Sequence, residues 1–281
     1  FSTAGAAVAD GQGYMTTAII YGLVSIPLFL LVFATSKENV QPVGEPQKFS
    51  FTGTINNLVK NKYLMIITLV MALQMTAFMG RIAVTAYYVI YCLGSFTMIG
   101  LVMTIPSLGG IIGSLFVPYF AKRFGKRNVL IGSMIIQGIG LLIIYAAPFD
   151  HMNMVLAGCW IFGLFNVGFP MTLSMVSDSV DYMELKTGIR TDGTAYATYG
   201  LATKLGNAIG GSAGVLILGL FGYVANAEQT AEALKGINMV VNLIPALLFF
   251  LAAAACFLWK MSDGDAEEIR KQLREKHSKA E

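Results

Sequence analysis

Charge is what this sequence lacks most. Only 12% of its 281 residues are Asp, Glu, Lys or Arg, about half the share of an average soluble domain. So few charges cannot cover a water-facing surface when 56% of the residues are hydrophobic and the mean hydropathy is +0.66. A soluble enzyme, a disordered chain and a nucleic-acid binder are excluded, the last because it needs a dense basic face. Histidine is almost missing as well. His151 and His277 stand without partners, and there is neither a paired His/Glu on a helix nor a nucleophile elbow, so no enzyme, metal or cofactor constellation is expected. The three cysteines, Cys92, Cys159 and Cys256, lie far apart inside apolar runs. They read as small buried hydrophobes rather than as metal ligands or a disulfide framework. No basic stretch followed by a cleavage site opens the chain at Phe1, so no signal peptide is expected.

What the sequence does have is apolar runs of about 20 residues, the length a bilayer core requires. Seven occur, near 14–34, 64–93, 97–121, 128–147, 154–176, 195–222 and 238–259. Each must be a helix, because an apolar segment in lipid has to satisfy its own backbone. Pro27, Pro106, Pro118, Pro170 and Pro245 fall inside these runs, where neighbouring helices can satisfy the freed carbonyls. The fold class is therefore an all-α, polytopic membrane protein.

Lysine and arginine set the orientation. The connections 35–63, 122–127 and 177–194 and the tail from Lys260 carry four, four, two and six of them. The opposite connections carry only Lys235. This asymmetry puts the tail in the cytoplasm and the start of the chain outside. An outside start without a signal peptide, in the small-residue stretch 1–13, suggests a fragment whose earlier spans are missing. A complete seven-helix receptor or sensor has the same count and orientation, and stays open at this point. Residues 35–62 read as a linker, with 49–60 as a short amphipathic surface helix. The tail 261–281 reads as a solvated charged helix, with Glu267 and Lys271 at i,i+4 spacing.

Six features stand out as candidates for function or packing. Lys204 lies ten residues into its span, about 13 Å from the cytoplasmic start. Burying a lysine near the midplane costs about 3 kcal/mol, so it reads as a cavity residue seeking a carboxylate, or else as an ion pair holding helices together. No acid lies mid-span in this chain. Arg81, nearer the outer face, fits an anionic substrate or outer gate, or simply snorkels outward. Asp178, Asp181 and Glu184 share a helical face at the end of the fifth run. They read as a cytoplasmic gate closed by ion pairs with basic residues, for which Lys122, Arg123 and Arg127 are the candidates, or as a solvated acidic end. The basic run 122–127 reads as a tight turn with Gly125 at a positive φ. Gly206, Gly210 and Gly214 form a stripe that lets another helix approach closely. Trp160, Tyr87, Tyr88 and Tyr91 read as an aromatic belt.

The run Ser177-Asp-Ser-Val-Asp-Tyr-Met-Glu-Leu-Lys-Thr-Gly-Ile-Arg-Thr-Asp-Gly-Thr-Ala-Tyr196 resembles a signature of the glycoside–pentoside–hexuronide:cation symporters, a branch of the major facilitator superfamily. The similarity continues through Lys204-Leu-Gly-Asn-Ala-Ile-Gly-Gly211 and Leu218-Gly-Leu-Phe-Gly-Tyr223. The turn at 118–128 resembles a superfamily loop, departing from it at Lys122, where an acid is common. Thr35-Ser-Lys-Glu38 resembles the start of the central loop. The resemblance implies helices six to twelve of twelve, with helix six at 14–34, a central linker at 35–62 and a C-terminal six-helix bundle at 63–260. It implies sugar transport with Na+ or H+ by alternating access, in a functional monomer of the bacterial cytoplasmic membrane. The acidic cation ligands would lie on N-terminal helices. It also implies that Lys204 lies near cation and sugar, that Tyr199, Gly200 and Thr203 line the sugar site, and that Phe169 stands where a melibiose-transporting member has a stacking tryptophan. Phe for Trp and Gly200 for a hydroxyl speak against galactosides. The stretch 222–230 and Gly236-Ile237 are closer to glucuronide and xyloside carriers. An uncoupled sugar facilitator is a further alternative.

Overall fold

The computed structural model describes residues 11–36, 58–225 and 227–278. The ends of the chain, residues 37–57 of the linker at 35–62 and most of the surface helix expected at 49–60 lie outside them. The chain divides into two units at Phe49 and Ser50. In the first, α1 (Gly11–Thr35) is a single helix with Pro27 inside it.

The second unit is a helical bundle. Its elements are α2 (Lys62–Tyr87), extended by a wider π turn at Tyr88–Cys92, α3 (Met98–Phe124), α4 (Lys126–Ala146), α5 (Met152–Leu164), α6 (Gly168–Thr187), α7 (Asp192–Leu220), α8 (Ala231–Asn238), which runs through a second π turn (Met239–Leu243) into α9 (Ile244–Cys256), and α10 (Asp263–Ser278). With α5 and α6 taken as one span, and α8 and α9 as another, seven helices among the described residues are long and apolar enough to cross a membrane. They match the seven apolar runs one for one.

The boundaries differ from expectation where backbone physics intervenes. The fifth span runs from Met152 to Thr187 and is interrupted at 165–167. Pro170 has no N–H to return to the carbonyl of Asn166, four residues back, and the helix restarts at Gly168. Residues 177–187, expected as a connection, are helical up to a left-handed cap at Gly188, φ 73°. Residues 231–237, expected as an outer loop, form α8, started by Thr230, whose side-chain oxygen accepts from Ala233 N at 3.1 Å.

Gly125 turns the chain between α3 and α4 at φ 82°, as its sequence context requires. The glycine stripe of α7 lies directly on α2. A Cβ at Gly206 would stand 2.7 Å from the Ala72 carbonyl oxygen, and one at Gly210 only 2.3 Å from that of Thr76. The α3–α5 crossing is as close, since a Cβ at Gly163 would meet Pro106 at 2.6 Å. These approaches let helices without a hydrophobic driving force between them gain dispersion contact. Tyr88, expected in an aromatic belt, is 1% exposed and points into the bundle. Tyr87 and Tyr91 instead stack edge-on against Tyr223 at one end.

Candidate functional site

On α7, Lys204 is the thirteenth residue of 29, about 18 Å along a helix of about 43 Å. It is close to mid-span and its side chain is exposed from the bundle. Among the described residues it has no ion-pair partner. The glycine stripe turns the other side of α7 onto α2, so the helix is clamped on one face and presents its lysine on another. One turn before it, Gly200 borders open space, with no atom within 4 Å of where a Cβ would stand. Thr203 folds its hydroxyl back to the Tyr199 carbonyl at 2.9 Å, as hydroxyls do in helices when no better acceptor is near.

Tyr199 is 4% exposed and shares a 2.7 Å hydrogen bond with the Thr172 hydroxyl of α6. Its ring lies 6.4 Å from that of Phe169, tilted by 52°. Phe169, at 52% exposure, is the ring that faces outward. Phe169, Thr172 and Tyr199 are thus in contact, while Gly200, Thr203 and Lys204 follow along the same helix. Thr172, Gln74 and Asn207 were missed by sequence reasoning. Gln74 presses on Gly168 at the restart of α6, where a Cβ would stand 2.6 Å from its Nε2. The side-chain oxygens of Gln74 and Asn207 are buried and have no hydrogen-bond partner among the described residues. Their signal was present, since each is a polar residue inside an apolar run.

Arg81 is not an outward-snorkelling residue. It is 3% exposed, inside the bundle. Its Nη1 donates to Asn242 Oδ1 at 2.7 Å and to the Val241 carbonyl at 3.3 Å. Nη2 reaches Cys159 Sγ at 3.7 Å, and the guanidinium lies 5.1 Å from the centroid of the Phe162 ring. Val241 O is the acceptor that Pro245, four residues on, cannot serve. The arginine therefore satisfies a carbonyl freed by proline and joins α2, α5 and the π turn between α8 and α9.

At the basic end of the bundle, Asp178, Asp181 and Glu184 are 4, 8 and 6% exposed, so they are not a solvated acidic end. Lys126 Nζ pairs with Asp178, whose other oxygen lies 3.9 Å from Arg270. Arg190 Nη1 bridges Asp181 at 3.1 Å and Glu184 at 2.6 Å, and His277 Nε2 meets Glu184 at 2.9 Å. Burial opposes the Arg190 cation, but hydrogen bonds to Asp192 and Glu184 outweigh it and raise its pKa above the usual value. The ion-pair partners are therefore Lys126, Arg190, Arg270 and His277, not Lys122, Arg123 and Arg127. Lys122 and Arg123 are exposed, Arg123 donates to the Tyr119 hydroxyl, and Arg127 donates to the Phe257 carbonyl. The reason is helical register, because Lys126 starts α4 on the side facing α6.

The tail is docked rather than solvated. Ser262 and Asp265 cap α10 reciprocally, at 3.1 and 2.9 Å. Ala266 and Leu273 bury one stripe of it, and Arg270 and His277 continue that stripe onto the acids of α6. Asp263 accepts from the Lys126 backbone N at 3.0 Å, placing a carboxylate at the start of α4, where the helix dipole favours it.

Comparisons with known proteins bear on this arrangement. A family profile described as MFS/sugar transport protein matches residues 2–263. The chain is 29% identical over 276 residues to the isoprimeverose transporter of Lactiplantibacillus pentosus, covering 98% of this chain and 57% of that protein. It is 28% identical over 262 residues to the glucuronide carrier protein homolog of Escherichia coli strain K12, covering 91% of this chain and 56% of the relative. The chain thus spans about half the length of the curated relatives it matches. The matching family is one of transporters and not of enzymes. With a profile match over most of its length, this chain belongs to the MFS/sugar transport protein family.

Proposed function

We propose that this chain forms the C-terminal part of a secondary active transporter that moves a glycoside, pentoside or hexuronide together with Na+ or H+ by alternating access. The observation that carries the reading is Lys204, an exposed cation at mid-span on a helix whose other face is clamped to α2. A lysine at that depth needs an anionic or polar counterpart, and the described residues of this chain hold no carboxylate beside it. The counterpart is a carboxylate on an N-terminal half, which in such a carrier also binds the coupling cation. Ammonium and cation compete for the same oxygens, so ion occupancy changes what Lys204 contacts. Phe169 offers an exposed aromatic face to the sugar, held by Tyr199 and Thr172. Gly200 leaves room beside it, and Thr203 can turn its hydroxyl toward a ligand. Both ligands then bias the same helix, which is the physical basis of coupling.

In this reading α1 is helix six and the bundle is helices seven to twelve. The segment 1–13 belongs to an outer loop and 35–62 to the central linker, while 63–260 is the C-terminal bundle and 261–281 the tail. The basic end faces the cytoplasm, the carrier works as a monomer in the bacterial cytoplasmic membrane, and the buried ion-pair network keeps the cytoplasmic end of α6, the turn at Gly125 and the tail moving as one gate element. Relatives named for isoprimeverose and for glucuronide support a glycoside or hexuronide substrate. The test is uptake of labelled glucuronides, xylosides and galactosides by the full-length protein, with Na+ and pH varied separately. Uptake of none of the three classes would overturn the substrate reading. Uptake indifferent to both ions would identify a facilitator instead.

A further inference from the structure

Between α3 and α4, on the basic half of the bundle, lies an apolar groove with a volume of about 390 Å³. Phe116, Phe120 and Phe124 of α3, Val129 and Gly132 of α4, and Phe165 at the break between α5 and α6 line it. From Ile112 to Phe124 it follows α3 over 13 residues, a rise of about 18 Å. That is close to one leaflet of a hydrocarbon core of about 30 Å. Its deep end is closed by the contact of Gly113 with the backbone of Leu164, where a Cβ would overlap the carbonyl.

The mouth of the groove carries charge. Arg123 holds its guanidinium 5.5 Å from the centroid of the Phe124 ring, and Phe124 is part of the wall. Its Nη1 donates to the exposed Tyr119 hydroxyl at 3.2 Å. Lys122 beside it is exposed as well. Neither has a carboxylate at ion-pair distance among the described residues, whereas Lys126 of the same turn is taken by Asp178. The two carboxylates nearest the turn are engaged elsewhere, Asp178 with Lys126 and Arg270, and Asp263 with the Lys126 backbone. At the mouth Asn128 spends its amide on the Phe124 carbonyl at 3.0 Å. The result is an apolar slot one leaflet deep with an unpaired cation at its polar end.

We infer that this groove binds one anionic phospholipid, with an acyl chain between α3 and α4 and the phosphate on Arg123, assisted by Lys122. The chain supplies affinity by covering aromatic surface, and the headgroup supplies selectivity, because basic side chains at this level favour anionic lipid. The inference adds a ligand to the proposed carrier, and its readout is lipid retention rather than transport, so either can fail alone.

The experiment is native mass spectrometry of the intact protein, purified in mild detergent and offered equal amounts of phosphatidylglycerol and phosphatidylethanolamine. Wild type should retain one phosphatidylglycerol in preference. Arg123→Gln should reduce that preference about fivefold, and Arg123→Lys should keep most of it. Gly132→Leu should displace both lipids, since a Cβ at Gly132 enters open space with no atom within 4 Å and the added side chain fills the slot. Size-exclusion profiles establish that each variant is folded. Inorganic phosphate should not displace the lipid, because it has no chain. Equal retention of the two lipids, no retention by wild type, displacement by phosphate alone, or an unchanged preference in Arg123→Gln would each overturn the assignment.

Discussion

Gly210→Ala tests the α2–α7 contact that orients the candidate site. The new Cβ would stand 2.3 Å from the Thr76 carbonyl oxygen and 2.8 Å from Gly80 N. Both are backbone atoms, so no side chain can rotate away. Restoring an ordinary contact of 3.4 Å requires the helices to part by about 1 Å. Overpacking of this kind costs about 1–3 kcal/mol, and it removes dispersion along the whole stripe, since Gly206 and Gly214 separate from α2 together with Gly210. Alanine is a better helix former than glycine by about 1 kcal/mol, which offsets part of the loss. The neighbouring residue is the control. Gly211 has no atom within 4 Å of its would-be Cβ, so Gly211→Ala retains the propensity gain without the clash. Thermal unfolding of the purified full-length protein should place Gly210→Ala about 2 °C below wild type, with Gly211→Ala at or above it. Uptake should fall in Gly210→Ala beyond any loss of expression, because Tyr199 and Lys204 ride on the displaced helix. Equal melting temperatures for the two alanine variants would refute the close approach and the clamped-helix picture built on it.

Three further outcomes follow from the same geometry. Single cysteines at 151 and 229 should react with a membrane-impermeant thiol reagent in intact cells and one at 125 should not, and the reverse pattern would invert the orientation. Asp178→Asn leaves Lys126 in a mostly buried position without its counter-ion and should cost about 3 kcal/mol. The exchange Lys126→Asp with Asp178→Lys should recover much of it in a thermal assay, and neutralising all three acids should shift cytoplasmic cavity cysteines toward the accessibility of an inward-facing carrier. Arg81→Met should lower stability by about 2 kcal/mol by leaving Asn242 Oδ1 and Val241 O unpaired, with little change in apparent affinity for sugar, whereas a large affinity loss at unchanged stability would make Arg81 a substrate ligand.

The spans were legible because lipid imposes one rule on every residue, and an apolar run of fixed length is local information. Lys204 was legible for the same reason, as a charge where the solvent forbids one. The glycine stripe was equally local, since four-residue spacing defines a helix face whatever packs on it. Arg81 was not legible, because its surroundings come from three helices. Its acceptors are a carbonyl freed by Pro245 and an amide at a π turn, both about 160 residues away in sequence. The partners of Asp178, Asp181 and Glu184 depended on which side of a tight turn faces α6, which the sequence does not encode locally. The docking of α10 depended on two apolar residues, Ala266 and Leu273, set in a segment whose overall composition is that of a solvated helix. The interruption at 165–167 had a signal in Pro170, but similar prolines at 106 and 118 leave α3 unbroken, so proline alone does not locate a break.

The central claim is that Lys204 links a coupling cation to the sugar. Full-length protein in proteoliposomes, with an imposed inward Na+ or proton gradient, should concentrate labelled sugar above its external level. Lys204→Ala, reconstituted at the same density, should fail to concentrate it under either gradient, and Lys204→Arg should retain at most part of the sugar binding, because a planar guanidinium does not replace a compact ammonium. Accumulation by Lys204→Ala equal to that of wild type would contradict the coupling role and leave the residue with helix packing alone.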